Sequence, residues 1–335
     1  MITLSGRQTA PGAASPDSFS IINYRRAAMH KNKLPACRHA GFGHLLLLVA
    51  GILPLSMAFG QAHGGKASPL SEEDRAVFTT FFNGFVTDMD SKYFGQIETL
   101  NGGIEFEDRT PSTEYADYEL RVTRGNVMEK AGRMLSYGKK TNPGRGDGIL
   151  TWGRFYSLDM HPKTPLVGML HATIVLQIFE DGTVGTGGWL GVMPGTHIDA
   201  DLARLKQVTD DYFAQHDKDP SLYRRLICKG TEDTITEFRR RPACSGVSFY
   251  GPPVYRRDAE ASIRFIAGLF DEFVGAYMDI VTERADDAFT AADLRAQEDM
   301  RRRWLIDQLF SDPFASKIVP FEVWSFANVP PVITF

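Results

Sequence analysis

Residues 155–177 read FYSLDMHPKTPLVGMLHATIVLQ and contain two histidines, His161 and His171, ten positions apart. Pro162 and Pro165 lie between them, and because proline fixes φ and lacks an N–H, a stiff, extended turn is predicted there. The β-branched run ATIVLQIF follows the second histidine and predicts a central strand. His171 would then lie on a rigid element, as a catalytic or ligand-binding histidine requires, although a hydrogen-bonded structural role is the commoner one.

Further strand-like runs flank this segment between Ile149 and Val192. Asp181-Gly182 separates ATIVLQIFE from TVGTGGWLGVM, and this dipeptide is a hairpin signal. Consecutive strands that are joined by hairpins pair with opposite directions. The sequence therefore predicts an antiparallel sheet.

Helices are predicted before and after these strands. Apolar residues recur at helical spacing from Val77 to Met89, downstream of a capping box formed by Ser71 and Asp74. Further helices are predicted from Asp199, over 220–240, from Asp258, and from Thr290 through Leu309. The ending VWSFANVPPVITF is predicted to be strand-like. This mixture predicts one α+β domain with helices packed on the sheet.

The composition is that of an ordinary globular protein, with 43% hydrophobic and 23% charged residues among 335. The formal net charge is −4, and no basic stripe with interleaved aromatic residues occurs in the sequence. Electrostatic attraction therefore gives no reason to expect a nucleic-acid partner.

The N-terminal region resembles a secretory signal peptide. Lys31, Lys33 and Arg38 precede an apolar run over 45–59, which small residues follow. This run is shorter than the roughly 20 residues that a membrane-spanning helix needs, so no stable span is expected. We expect a leader over 1–62, a single domain over 63–335 and export, with the periplasm as the expected compartment. The alternatives are an uncleaved anchor or a chance apolar stretch in a cytoplasmic protein.

Two cysteines, Cys228 and Cys244, follow the predicted leader. They could form a disulfide in an oxidising compartment, although two free buried thiols are the favoured interpretation. Neither has metal-ligand spacing with a histidine, so a zinc site is not expected.

Several motifs together resemble the aerobic, cofactor-independent coproporphyrinogen III oxidases. The central motif is a Ser-x-x-x-His-Pro-x-x-Pro block that begins at Ser157 and leads into His171-Ala172. Shorter blocks occur in the family's order at 127–132, 187–189, 245–249 and 329–331. The resemblance is collinear from about residue 70 to the last residue. It implies a large antiparallel sheet sandwiched between helices in a single domain.

The resemblance also implies a function. Members of that family oxidatively decarboxylate two propionates of a tetrapyrrole to vinyl groups with dioxygen, without an obligatory cofactor. His171 matches the proposed proton donor, and Ser157, Thr173, Ile174 and Val175 match substrate-contacting positions. His161 and His171 match histidines that have been described as ligands of a divalent metal. A tetrapyrrole or another small carboxylate is therefore the expected ligand, and a homodimer through the C-terminal region is expected by analogy.

The sequence departs from the family at charged positions. Val175 stands where the family has a carboxylate-binding arginine, and Gly191 stands where it has an aspartate that faces the tetrapyrrole. Arg133, Arg239 or Arg241 could replace the lost propionate contacts. Three hypotheses follow: an oxidase of coproporphyrinogen III, an oxidase of another substrate on the same fold, or an exported protein that binds a tetrapyrrole without turnover.

Overall fold

The computed structural model describes residues 69–141, 148–229, 242–310 and 319–335. The predicted leader, with its apolar run over 45–59, lies outside these ranges. In the part of the chain that is described, no helix combines the length and the apolarity needed to cross a membrane.

Within the described residues seven antiparallel strands form one sheet, in which every strand pairs with its neighbours in the chain. The strands are β1 (Glu107–Arg109), β2 (Ala116–Thr123), β3 (Met128–Gly138), β4 (Leu150–Pro162), β5 (Met169–Phe179), β6 (Val184–Met193) and β7 (Val247–Ser248). β4 and β5 are two of the central strands, and the two prolines lie at and beyond the end of β4. The predicted antiparallel sheet is confirmed.

The described residues also form helices, which precede and follow the strands. They are α1 (Glu72–Asn101), α2 (Asp199–Gln215), α3 (Ser221–Lys229), α4 (Ala259–Arg284), α5 (Ala291–Phe310) and α6 (Phe321–Asn328). The predicted helix over 220–240 is described only as far as Lys229.

Side-chain caps explain where three of the helices begin. The Ser71 hydroxyl accepts a hydrogen bond from the Asp74 amide (3.0 Å) and donates one to the Asp74 carboxylate (2.7 Å). The Asp258 carboxylate accepts from the Ala261 amide (2.8 Å) at the start of α4. Thr290 and Asp293 exchange reciprocal bonds at the start of α5. Each cap satisfies backbone donors that the first helical turn leaves without a partner, as the sequence predicted.

The helices cover the sheet on both faces. Side chains at even positions of β4 and β5, such as Leu158 and Ala172, pack against α1, α2 and α4 in the larger core. Trp304 of α5 and Trp324 of α6 pack with Met134, Met169 and Met193 on the other face. Because this second face carries the side chains of His161 and His171, we call it the histidine face. The structure is thus a single α+β domain with its antiparallel sheet between helical layers.

The prediction of a C-terminal strand is wrong, because residues 321–328 form α6. Its apolar residues Val323, Trp324, Phe326 and Ala327 are buried against the sheet. The run is rich in residues that favour strands, but packing of one apolar helical face overrides such preferences. This intramolecular packing accounts for these four apolar side chains, and the homodimer remains a prediction by analogy alone.

The preference for free thiols is also wrong, because Cys228 and Cys244 form a disulfide. The end of α3 lies beside the residues that lead into β7, and the two Cα atoms are 5.5 Å apart, within the range of a disulfide. Cys244 is exposed rather than buried. The bridge therefore ties α3 to the β7 edge of the sheet.

Reduction of this disulfide is expected to lower the free energy of unfolding by about 3 kcal/mol, because the bridge closes a loop of 16 residues in the unfolded chain. Urea unfolding with and without a thiol reductant measures the change. A double variant, Cys228→Ser with Cys244→Ser, serves as the control and should not respond to the reductant. Equal unfolding midpoints for the oxidised and reduced wild type would contradict the prediction.

Candidate functional site

The candidate site lies on the histidine face, across β4 and β5. In the register of the sheet Ser157 pairs with Thr173 and Asp159 pairs with His171. Side chains of directly paired residues lie on the same face of an antiparallel sheet. The strand alternation therefore brings together three residues that the sequence predicted, Ser157, His171 and Thr173, and adds Asp159 to them.

Asp159 and His171 form a hydrogen-bonded acid–base pair. The Nδ1 atom of His171 lies 2.7 Å from Oδ1 of Asp159. Because a carboxylate can only accept, Nδ1 carries the proton, and Nε2 remains available to exchange one with a ligand. The Asp159 side chain is fully buried, whereas 19% of the His171 side chain is exposed. This is the geometry of a histidine that a buried carboxylate orients for general acid or base chemistry.

Asn328, at the end of α6, completes the surroundings of this pair. Its side-chain amide donates to Oδ2 of Asp159 and to the hydroxyl of Ser157 (3.1 Å). Both oxygens of the Asp159 carboxylate are thus bonded, one to His171 and the other to Asn328. Ser157 and Asp159 are each fully buried, so these bonds offset the cost of removing the polar groups from water.

Thr173 and Val175 continue the site along β5. The Thr173 hydroxyl lies 3.0 Å from the Tyr250 hydroxyl, within hydrogen-bonding distance. Val175 is 6% exposed and supplies no charge. The polar groups at this end of the site are therefore hydroxyl groups, at the place where the family resemblance implies the loss of an arginine.

Ile174 does not share this surface. It lies between Thr173 and Val175 on β5, so its side chain points to the opposite face, where it belongs to the larger core. Its side chain thus lies apart from those of Thr173 and Val175, and the expectation that Ile174 contacts a substrate stays a prediction. Strand alternation is the physical reason for this separation.

His161 is held as a neutral structural residue. Its Nε2 lies 3.0 Å from the backbone oxygen of Asn328, so Nε2–H donates and Nδ1 is left as a buried acceptor without a partner. Burial, together with the nearby charges of Lys130 and Arg301, lowers the pKa of His161 well below its ordinary value. Its environment thus disfavours positive charge.

These surroundings do not fit the expected divalent metal site. Across residues 69–141, 148–229, 242–310 and 319–335, no three His, Cys, Asp or Glu side chains converge as metal ligands. One nitrogen of His161 and one of His171 already hydrogen-bond to protein oxygens. At and below about pH 7, where Lys130 is protonated, its charge near His161 would also repel a cation.

Lys130 is a buried amine next to the site. Its Nζ donates to the backbone oxygen of Val329 (2.5 Å), and the residue is 2% exposed. Burial, reinforced by repulsion from Arg124, lowers the pKa of Lys130 from 10.5 to about 7. The folded protein therefore loses this proton at a lower pH than the unfolded chain does.

This difference predicts how stability depends on pH. Between pH 7 and 10.5 the unfolded chain holds the Lys130 proton and the folded chain does not, so the free energy of unfolding rises with pH across this window. Below pH 7 both states are protonated and the cost of the buried charge is fully present. Lys130→Met should remove this rise, which is on the order of 3 kcal/mol between pH 7 and 9.5. Urea unfolding of both proteins at several pH values measures it, and parallel profiles would contradict it.

Gly191 lies opposite His171 in the register of β5 and β6. A Cβ atom at this position would lie 2.8 Å from both Nε1 of Trp189 and Cδ1 of Ile227. The space beside Gly191 is therefore occupied by an indole and an aliphatic side chain. An aspartate at this position, as the resemblance would require, has no room unless both side chains move.

Three arginines were proposed to replace the missing propionate contacts, and the structure describes one of them, Arg133. Its side chain does not reach the histidine face. Arg133 points to the opposite face, where its Nε donates to Asp90 (3.1 Å) and its guanidinium donates to the Glu119 backbone (2.8 Å). Arg239 and Arg241 lie outside the described residues. The replacement of the contacts by Arg133 is therefore wrong, because its charge is already used in a buried ion pair.

Sequence reasoning missed Asp159 and Asn328. The alternation Ser157-x-Asp159-x-His161 on a strand next to His171 was a usable signal for Asp159, because residues two apart share a face. Asn328 had no comparable signal. It contacts Asp159 across 169 positions of the chain, and only the packing of α6 brings it there.

No protein-family model matches this sequence. One solved structure with a similar arrangement is phytochromobilin synthase from tomato in complex with biliverdin. It has a TM-score of 0.38 and 11% sequence identity, and the match covers 72% of this chain and 78% of that chain. At this identity and TM-score the similarity assigns the chain to no family.

Proposed function

We propose that this protein binds a tetrapyrrole on the histidine face and oxidatively decarboxylates its propionates to vinyl groups with dioxygen, as a divergent relative of the aerobic coproporphyrinogen III oxidases. The observation that best supports this proposal is the Asp159–His171 pair, in which a buried carboxylate orients a partly exposed imidazole. Ser157 and Thr173 lie on the same face. Ser157 and His171 belong to the block that carries the sequence resemblance, so two residues that suggest the family are also ones that the fold brings together.

The proposed chemistry balances with one proton from the protein. A propionate side chain, dioxygen and a proton give a vinyl group, carbon dioxide and hydrogen peroxide. The bond between the two side-chain carbons becomes double as a C–H bond and the bond to the carboxylate break, and dioxygen accepts the electron pair. Protonated His171 can supply the proton through Nε2, and Asp159 stabilises the imidazolium.

A second candidate function is binding of a tetrapyrrole or a related apolar carboxylate without turnover. Two features favour it. Val175 leaves the carboxylate end of the site without the family's arginine. The space beside Gly191 is filled by Trp189 and Ile227, so the family's aspartate has no equivalent there.

We also propose that the protein is exported. A disulfide persists in an oxidising compartment such as the periplasm and is rare in the cytosol, so the Cys228–Cys244 bridge supports the interpretation of residues 45–59 as part of a signal peptide. Fractionation of cells that express the full chain tests this. Recovery of the protein with cytosolic markers and with reduced thiols would contradict it.

Turnover of coproporphyrinogen III by the full chain tests the proposed reaction. Protein and substrate are mixed without oxygen, dioxygen is then added, and the decarboxylated products are separated by chromatography. Product that depends on dioxygen supports the oxidase.

A binding assay separates the second candidate from the first. Trp189 lies on the histidine face beside Thr173, and Trp304 and Trp324 pack on the same face, so a bound tetrapyrrole should quench tryptophan fluorescence. Trp189→Phe is the control, and it should lose the part of the quenching that Trp189 contributes. Quenching without product supports binding alone, whereas the absence of both product and quenching contradicts both functions.

A further inference from the structure

Asn328 is the last residue of α6 and is almost fully buried, with 5% exposure. Its side-chain nitrogen lies between two oxygens of the site, the hydroxyl of Ser157 and Oδ2 of Asp159. Only the amide NH₂ can serve both acceptors, so the nitrogen and not the oxygen of this side chain must face them. Asn328 is thus a donor directed at the carboxylate that orients His171.

The backbone around Asn328 is fixed by donors from two strands. Nε2–H of His161 donates to the Asn328 backbone oxygen (3.0 Å), and Nζ of Lys130 donates to the Val329 oxygen (2.5 Å). The carbonyl groups at the end of a helix have no partners within the helix, so such donors both satisfy and anchor them. The end of α6 is therefore attached to β3 and β4 on either side of the Asn328 side chain.

The rotation of the Asp159 carboxylate depends on its second donor. If Oδ2 had no partner, the buried carboxylate could turn and share its charge differently, and Oδ1 would no longer be fixed toward Nδ1 of His171. A charge-assisted hydrogen bond from an anchored amide restricts this rotation. The network therefore extends from α6 through Asp159 to the imidazole.

We infer that Asn328 is a positioning residue, which holds the Asp159 carboxylate so that His171 keeps its proton on Nδ1 and presents Nε2 to the ligand. This role adds a residue to the proposed site and rests on the proposed function, because the ligand is the one proposed there. The hydrogen-bonded state of His171 can nevertheless be measured without a ligand. His161 and Lys130 support this role, because their hydrogen bonds to the backbone oxygens of Asn328 and Val329 fix the end of α6.

The decisive variant is Asn328→Asp, which keeps the size of the side chain and the backbone contacts but replaces the neutral amide donor by a second carboxyl. Because two adjacent buried carboxyl groups compete for one proton, the charge of Asp159 is then no longer fixed toward His171. We expect ¹⁵N NMR of the histidine-labelled full chain to show His171 protonated on Nδ1 in the wild type and distributed between both nitrogens in the variant. In the oxidase assay kcat should fall by about 10-fold or more, as expected for a lost hydrogen bond to a charged group, while KM changes little.

Asn101→Asp is the matched control. Asn101 accepts hydrogen bonds from the Val127 and Met128 amides through its side-chain oxygen and donates a longer one to the Met128 oxygen (3.3 Å). It bonds to neither Asp159 nor His171, and an acid there keeps the two accepted bonds. This control should leave both the His171 signal and kcat unchanged. If Asn328→Asp does not fold, Asn328→Ala is measured in the same way, because it removes the donor without adding a charge.

An unchanged His171 tautomer in a folded Asn328 variant would overturn the inference. A changed tautomer in a protein without turnover would support Asn328 as a positioning residue while the proposed oxidase fails. The two proposals can therefore fail separately.

Discussion

His171→Gln is expected to lower dioxygen-dependent turnover of coproporphyrinogen III by about 100- to 10,000-fold, the contribution typical of a positioned general acid or base. Glutamine can replace hydrogen bonds of the imidazole but cannot donate a proton to the reaction. The measurement is kcat under saturating dioxygen, with ligand binding followed by tryptophan quenching. Binding should persist, because the imidazole is expected to act mainly in the chemical step.

Asp159→Asn should reduce kcat in the same direction. The amide keeps the shape of the side chain but removes the charge that stabilises the imidazolium and fixes Nδ1–H.

His216→Gln is the control for His171→Gln, because His216 is an exposed histidine that bonds to the Tyr212 backbone (2.8 Å) away from the sheet face. Equal rates for His171→Gln and His216→Gln would rule out the proton-transfer role of His171.

Gly132→Ala is expected to destabilise the fold by about 3 kcal/mol, at the upper end of the usual cost of overpacking. Gly132 pairs with Asp159 across β3 and β4, and a Cβ atom there would lie 1.9 Å from the backbone oxygen of Ala327. Because a backbone atom cannot move alone, α6 would have to shift as a unit. Urea unfolding measures the loss, and Trp324 fluorescence reports the displacement of α6.

Gly95→Ala is the matched control for this change. Gly95 lies in α1 and is exposed, and a Cβ atom there meets no atom within 4 Å. The same substitution should therefore stabilise the protein by about 0.5–1 kcal/mol through helix propensity. A Gly132→Ala variant as stable as Gly95→Ala would show that α6 does not contact β3 closely.

Local signals predicted much of the fold. The helix starts at Ser71, Asp258 and Thr290 follow from side chains that bond to backbone groups within three residues, so the sequence contains all the partners. The Asp181-Gly182 turn likewise depends only on neighbouring residues. The sheet order then follows, since each strand pairs with the next one in the chain.

Distant contacts explain what the sequence could not predict. The helical state of 321–328 depends on burial against β2 and β3, and the disulfide depends on where α3 packs. Within the site, alternation was sufficient to place Ser157, Thr173 and His171 on one face. It also places the Ile174 side chain on the opposite face, although the family resemblance groups this residue with Thr173 and Val175.

The pairing of each strand with its chain neighbour has a kinetic consequence. β4 and β5 form a hairpin whose contacts are close in sequence, and such contacts generally form early in folding. The Asp159–His171 pair can therefore assemble before α6 docks, since Asn328 must close a loop of 169 positions to reach it. We expect α6 to open separately from the rest of the fold. Its backbone amides should therefore exchange hydrogen with solvent faster than those of β4 and β5.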